Sequence, residues 1–146
     1  MEKENQITIG LVDDHEGLRI SLQNFLEHRN FKVVLQAANG QLAIDSLMIN
    51  EILPDICILD INMPVMDGYQ TARELAQRYP EIKILVFSSL DNKRSIEEML
   101  GLGVRGYVLK GSAPEKLKTA VIKLYEGSYY FSEKISKTAL SYLAEN

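Results

Sequence analysis

Five short apolar runs, each leading to a polar or charged stop, recur along this chain and leave little choice of fold. They are Ile7-Thr8-Ile9-Gly10-Leu11-Val12 before Asp13-Asp14, Lys32-Val33-Val34-Leu35-Gln36-Ala37 before Asn39-Gly40, and Ile56-Cys57-Ile58-Leu59 before Asp60. Ile82-Lys83-Ile84-Leu85-Val86-Phe87 before Ser88-Ser89 and Gly106-Tyr107-Val108-Leu109 before Lys110 complete the set. A strand buried on both faces is written as a nearly continuous apolar run. Between the runs the apolar residues change to helical spacing: Leu18, Leu22, Phe25 and Leu26; Leu42, Ala43, Leu47 and Met48; Ala72, Leu75 and Ala76; Ile96, Met99 and Leu100; Leu117, Val121 and Leu124. Strands alternating with helices in this way predict a parallel sheet covered on both faces.

The punctuation agrees. Arg29-Asn30, Pro54, Tyr79-Pro80, Gly101 with Gly103, and Gly127 stand where elements must end. Asn39 is placed to cap the second helix. Ser112-Ala113-Pro114-Glu115 has the form of a capping box opening the fifth. Pro64 stops the third strand from continuing, and Gly68 lets the chain turn into the next helix. No boundary falls before residue 127, so residues 1–127 read as one domain, with a polar start over residues 1–6 that is expected to fray. Residues 128–146 carry Ile135, Ala139, Tyr142 and Leu143 on one helical face. They are either a terminal helix that docks or frays, a linker to an output domain, or a dimer contact.

Bulk properties narrow the function. A net charge of −4 argues against a chain built to neutralise nucleic-acid phosphates. The lone Cys57 lies inside an apolar run and reads as a small core residue. One cysteine and no signal peptide fit a reducing cytoplasm. No apolar stretch approaches the roughly 20 residues that cross a bilayer.

In a parallel sheet the residues just beyond each strand gather on one rim, where ligands bind in open α/β folds. Here that rim receives Asp13, Asp14, Asp60, Ser88 and Lys110. Three crowded carboxylates repel, and one lysine does not balance them. A divalent cation would, and hard oxygen donors favour Mg²⁺ shared with a phosphate oxygen. A strand-end carboxylate can then act as nucleophile towards a phosphoryl group, with Mg²⁺ and Lys110 neutralising the transferring oxygens and Ser88 donating its hydroxyl to one of them.

Asp13-Asp14, Asp60 with Met63-Pro64 and Asp67-Gly68, Phe87-Ser88 and Tyr107-Val108-Leu109-Lys110 resemble the receiver domain of two-component response regulators, over roughly residues 7–126. The resemblance implies a flavodoxin-like (βα)5 fold, doubly wound, with strand order 2-1-3-4-5. It implies Asp60 as phosphoacceptor from a sensor histidine kinase. Mg²⁺ would be held by Asp14, Asp60 and the main-chain carbonyl of Asn62, with Asp13 acting through water. Ser88 and Tyr107 would be the pair that moves on phosphorylation, and Asn62 and Leu90 lie where the family tunes the phosphoryl lifetime. For Tyr107 the alternative is an amphipathic aromatic with a buried ring and a wet hydroxyl. Gly111 departs from the pattern, because many receivers have proline after the lysine.

Asp13-Asp14-His15, Lys110-Gly111-Ser112 and Glu126-Gly127-Ser128-Tyr129-Tyr130-Phe131 look like receivers of the NarL/FixJ type, which usually carry a LuxR-type DNA-binding output domain. Such a domain does not fit within these 146 residues. The expectation is therefore a cytoplasmic signalling switch that catalyses only its own phosphorylation and dephosphorylation, is able to pair into a homodimer on phosphorylation, and reaches DNA only through an output domain outside this chain. Its rivals are a stand-alone receiver acting by protein–protein contact and a phosphatase of the haloacid dehalogenase class. That class typically needs a second carboxylate two residues after the nucleophile; Asn62 stands there and supplies no proton in that role. A nucleotide-binding Rossmann domain is disfavoured because the first strand leads into Asp13-Asp14 and not into a glycine-rich loop.

Overall fold

A computed structural model describes residues 6–146. Its strands are β1 (Thr8–Val12), β2 (Lys32–Ala37), β3 (Ile56–Leu59), β4 (Lys83–Ser88), β5 (Gly106–Leu109) and β6 (Tyr130–Phe131). Its helices are α1 (Glu16–Glu27), α2 (Gly40–Ile49), α3 (Gly68–Arg78), α4 (Lys93–Gly101), α5 (Pro114–Tyr125) and α6 (Glu133–Glu145). All strands pair in parallel in one sheet of order β2-β1-β3-β4-β5-β6. This is the flavodoxin-like doubly wound order expected, extended at one edge by β6.

The two faces hold two cores. On one, Leu22 and Leu26 of α1 and Leu117, Ala120, Val121 and Leu124 of α5 pack on Ile9, Leu11, Ile58 and Leu85. On the other, α2, α3, α4 and α6 bury Leu47, Leu75, Met99 and Ile135 against Val12, Leu59, Val86 and Tyr107. Alternation along each strand sends successive side chains to opposite faces, and both faces are covered, so the strands are apolar throughout. Leu42, Met48 and Ala76 depart from the expected inward set and lie exposed. α2 and α3 each bury a narrower stripe than their apolar content suggests.

Helix starts follow local chemistry. Asn39 accepts from the Leu42 N–H at 3.0 Å, as its type and position require. Asp67 and Gln70 form a reciprocal capping box at α3. At α5 the expectation fails: Ala113 is the N-cap, with Pro114 in the first turn, and no side chain caps the helix. Ser112 sits one residue too early to reach those amides, and its hydroxyl instead lies 3.4 Å from Ser132 Oγ. The first five residues, expected to fray, lie outside the described residues; Gln6 donates its side-chain amide to the Asn30 carbonyl.

The tail resolves into β6 and α6. β6 extends the sheet beyond β5, pairing Gly106 with Tyr130 and Tyr107 with Phe131. α6 packs against α4 and buries Ile135 and Ala139 completely. Two residues of strand carry no periodicity, so β6 has no signature that a pattern could reveal.

Candidate functional site

β1, β3, β4 and β5 all point their carboxyl ends at one rim, which puts Asp13, Asp60, Ser88 and Lys110 beside one another. Lys110 Nζ lies 2.8 Å from Asp13 Oδ2 and 3.1 Å from Asp60 Oδ2, so one ammonium bridges the carboxylates that end two neighbouring strands. Asp60 is only 6% exposed. Its other oxygen, Oδ1, accepts from the Ile61 N–H at 2.8 Å. Carboxylate oxygens of Asp13, Asp14 and Asp60 and a ring nitrogen of His15 all lie within 4.8 Å of one another. His15 is the N-cap residue of α1, with Nδ1 at 3.3 Å from Asp13 Oδ1 and 3.4 Å from Asp14 Oδ1. Asp14 and His15 face solvent, whereas Asp13 and Asp60 do not.

The electrostatics follow from that crowding. Burial raises the Asp60 carboxyl above its ordinary range, and the Asp13 charge raises it further; hydrogen bonds from Lys110 and Ile61 pull the other way without prevailing. For Lys110, burial works against the charged form, yet Asp13 and Asp60 outweigh it and lift its pKa above normal. The lysine is therefore firmly cationic and the aspartate reluctantly anionic. Asp60 becomes a better-stabilised anion only when more positive charge arrives.

Ser88, the last residue of β4, is fully buried and its Oγ accepts from the Leu90 N–H at 3.2 Å. Tyr107 is also fully buried, and its hydroxyl donates to the Leu90 carbonyl at 2.7 Å. The hydroxyl is therefore not wet, and the amphipathic alternative fails. Burial pushes the phenol well above its usual range.

The loop after Asp60 is clamped. Gly68 N–H donates to Ile61 O at 2.7 Å, Met66 N–H to Pro64 O at 2.7 Å, and Gly40 N–H to Met66 O at 3.1 Å. Gly68 is required by close approach, since a Cβ there would overlap the Asp60 carbonyl oxygen and Ile61 Cα. Val65 takes a positive φ of 69° while 79% exposed, a strained choice for a β-branched residue. Asn62 is exposed in this loop, two residues beyond Asp60. The Lys110–Gly111 bond is trans, as is every peptide bond among the described residues.

Leu90, a position the resemblance singles out for phosphoryl lifetime, takes part here through its main chain. Two contributors have no sequence reading. The Ile61 amide is main chain, which side-chain chemistry does not advertise. Arg19 reaches back from α1 to donate to the Asp13 carbonyl, fixing the loop that carries the acidic pair; its position one turn into a helix after Asp13-Asp14 was the available signal.

Comparison with known proteins agrees with this fold. The family model described as "Response regulator receiver domain" matches residues 9–122. The transcriptional regulatory protein DegU of Brevibacillus brevis is 34% identical over 134 residues, covering 91% of this chain and 56% of that protein. The oxygen regulatory protein NreC of Staphylococcus aureus is 30% identical over 140 residues, covering 94% of this chain and 64% of that one. The chain thus spans less than two thirds of these curated relatives. Among solved structures, a two-component response regulator of the LuxR family from Aurantimonas sp. SI85-9A1 superposes with a TM-score of 0.84 at 26% identity, covering 96% of this chain and 99% of that chain. The isolated REC domain of RcsB from Salmonella enterica serovar Typhimurium, determined with the phosphomimetic BeF3⁻, gives 0.82 at 25% identity, covering 92% and 99%.

Proposed function

Because this chain belongs to the response regulator receiver family, we propose that Asp60 accepts a phosphoryl group from a sensor histidine kinase and that its phosphorylation switches an output. The observation that carries the proposal is the Lys110 ammonium held between Asp60 and Asp13 at the rim of the sheet. It supplies a fixed cation where negative charge accumulates during phosphoryl transfer.

The donor set suits a hard divalent cation. Asp13, Asp14 and Asp60 offer closely grouped carboxylate oxygens, and a single lysine leaves them with excess negative charge. Asp14, Asp60 and the main-chain carbonyl of Asn62 would hold Mg²⁺, with Asp13 acting through water. When bound, Mg²⁺ neutralises part of the charge on Asp60 and on the phosphoryl oxygens.

In the transfer, an Asp60 carboxylate oxygen forms a bond to phosphorus as the bond from phosphorus to the donor breaks. Lys110 turns from Asp13 towards the new phosphoryl oxygens. Ser88 gives up its contact with the Leu90 N–H and donates its hydroxyl to another of them. Leu90 then no longer holds its carbonyl under the Tyr107 hydroxyl, and two packings of the loop after β4 become distinguishable. The protein is a signalling switch whose only chemistry is its own phosphorylation and dephosphorylation. By analogy with its relatives, the output is a LuxR-type DNA-binding domain outside these residues, and phosphorylation favours a homodimer. No helix among the described residues is long and apolar enough to cross a membrane.

Incubation with acetyl phosphate and Mg²⁺, followed by intact-mass measurement, tests the assignment. Wild type gains one phosphoryl group and Asp60→Asn gains none. Equal labelling of the two proteins refutes it.

A further inference from the structure

We propose that Ser132 couples the Asp60 site to α6, so that docking of the C-terminal helix reads the phosphorylation state. The inference rests on the phosphoacceptor reading above and extends it to a residue outside the site.

Ser132 is the N-cap residue of α6, yet its side chain caps nothing in that helix. A serine there normally accepts from the second or third amide of its own helix. Here Ser132 Oγ accepts instead from the Leu109 N–H at 2.8 Å, and the Ser132 N–H donates to the Tyr107 carbonyl at 3.0 Å. β6 pairs only with Gly106 and Tyr107, so β6 itself offers the Leu109 amide no strand partner, and Ser132 fills that place. Both bonds are sheltered, since Ser132 is almost fully buried.

The residues so gripped are the two that matter. Tyr107 is tied through Leu90 to Ser88. Leu109 immediately precedes Lys110, which bridges Asp13 and Asp60. Ser132 therefore holds the main chain of β5 at the switch tyrosine and beside the active lysine, while the same residue opens α6. α6 in turn lies on α4, whose N-terminus follows the Leu90 loop. Of its side chains Ile135 and Ala139 are fully buried, and Tyr142 and Leu143 pack half-buried against the same core. A helix held along one face opens before the sheet does. When Lys110 turns to a phosphoryl group and the Leu90 loop lets go of Tyr107, β5 shifts, the Leu109–Ser132 bond stretches, and the first turn of α6 loosens.

Amide exchange of the 146-residue chain, with and without acetyl phosphate and Mg²⁺ and with intact mass recorded in parallel, tests this. In wild type, phosphorylation raises exchange in residues 133–139 by about fivefold, the effect of losing one hydrogen bond. Ser132→Ala labels to the same extent as wild type and keeps wild-type protection in β1 and β3. Its α6 already exchanges fast without phosphodonor and shows no further rise. Four outcomes overturn the proposal: wild type labels and α6 does not respond; Ser132→Ala matches wild type in α6 in both states; Ser132→Ala loses labelling, which would put Ser132 in the chemistry and not in the coupling; or Ser132→Ala loses protection in β1 and β3, which would make it a general structural residue. Absence of labelling in wild type is distinct from these, because it defeats the phosphoacceptor reading and this one with it.

Discussion

Ser88 and Tyr107 hold opposite ends of one residue: Leu90 gives its N–H to the Ser88 hydroxyl oxygen, and its carbonyl accepts the Tyr107 hydroxyl. The end of β4 and the middle of β5 are thereby linked through the main chain of the loop between β4 and α4. Tyr107→Phe removes one end of that link and keeps the buried ring. It should cost about 1 kcal/mol, lowering the melting temperature by about 3 °C for a chain this size. Amide exchange in residues 89–92 should rise while labelling of Asp60 persists. Thermal denaturation and exchange on the same sample check both halves.

Asp60 should make stability depend on pH in a particular direction. Its carboxyl titrates above the ordinary value of 3.8 because it is buried and faces Asp13. Between 3.8 and that raised value the folded protein keeps a proton that the unfolded chain has released. The contribution to stability is therefore full below the ordinary value and is lost as pH rises through the raised one. Asp60→Asn lacks this decline. Melting curves of both proteins from pH 3 upward should converge at the acid end and separate towards neutrality, with the asparagine variant the more stable. An equal slope for the two would show that the charge is fully compensated.

Lys110→Ala removes the cation from between two buried carboxylates. The Lys110 pKa is raised, so its stabilising charge is present throughout the neutral range and is lost only above its ordinary value of 10.5. The variant should be destabilised at neutral pH and regain stability on mild acidification, as Asp60 takes up its proton more readily. Some labelling can survive, but the exchange response around Ser88 and Tyr107 should vanish. Circular dichroism melts across pH and exchange with phosphodonor measure the two effects.

The loop after Asp60 offers a matched pair. Val65→Gly relieves a left-handed backbone that costs a β-branched residue about 1–2 kcal/mol, against about 0.5–1 kcal/mol of added chain entropy for glycine. A small gain in stability is expected, since the Val65 side chain is exposed. Gly68→Ala should lose about 2–3 kcal/mol, because its Cβ meets backbone that cannot move aside. It should also slow labelling by displacing Asp60. Urea denaturation of both variants tests the opposite signs.

The features legible in the sequence are those written in side chains. Apolar runs such as Ile56–Leu59 located the first five strands, and the polar residue after each located the rim that gathers Asp13, Asp60, Ser88 and Lys110. What escaped was written in the main chain or in packing. β6 is two residues long, and Leu90, though singled out by the resemblance, acts through its amide and carbonyl, which its side chain does not announce. The Ser112 cap failed because helix α5 starts two residues later, at Pro114, with Ala113 as its cap. Helical spacing puts Ala76 inward, but spacing alone does not say how wide a buried stripe is, and Ala76 lies exposed. The inward face of α6, Ile135 with Ala139, was legible as a face that could dock, but its partner α4 is a surface no local pattern describes.

The central claim is that Asp60, and no neighbouring group, takes the phosphoryl. Reduction of the acetyl phosphate-treated protein with borohydride converts an aspartyl phosphate to homoserine, which peptide mapping then locates. The expected result is homoserine at position 60 alone, dependent on Mg²⁺. Modification at Asp13 or Asp14, a stable phosphate on Ser88, or no modified residue would contradict it.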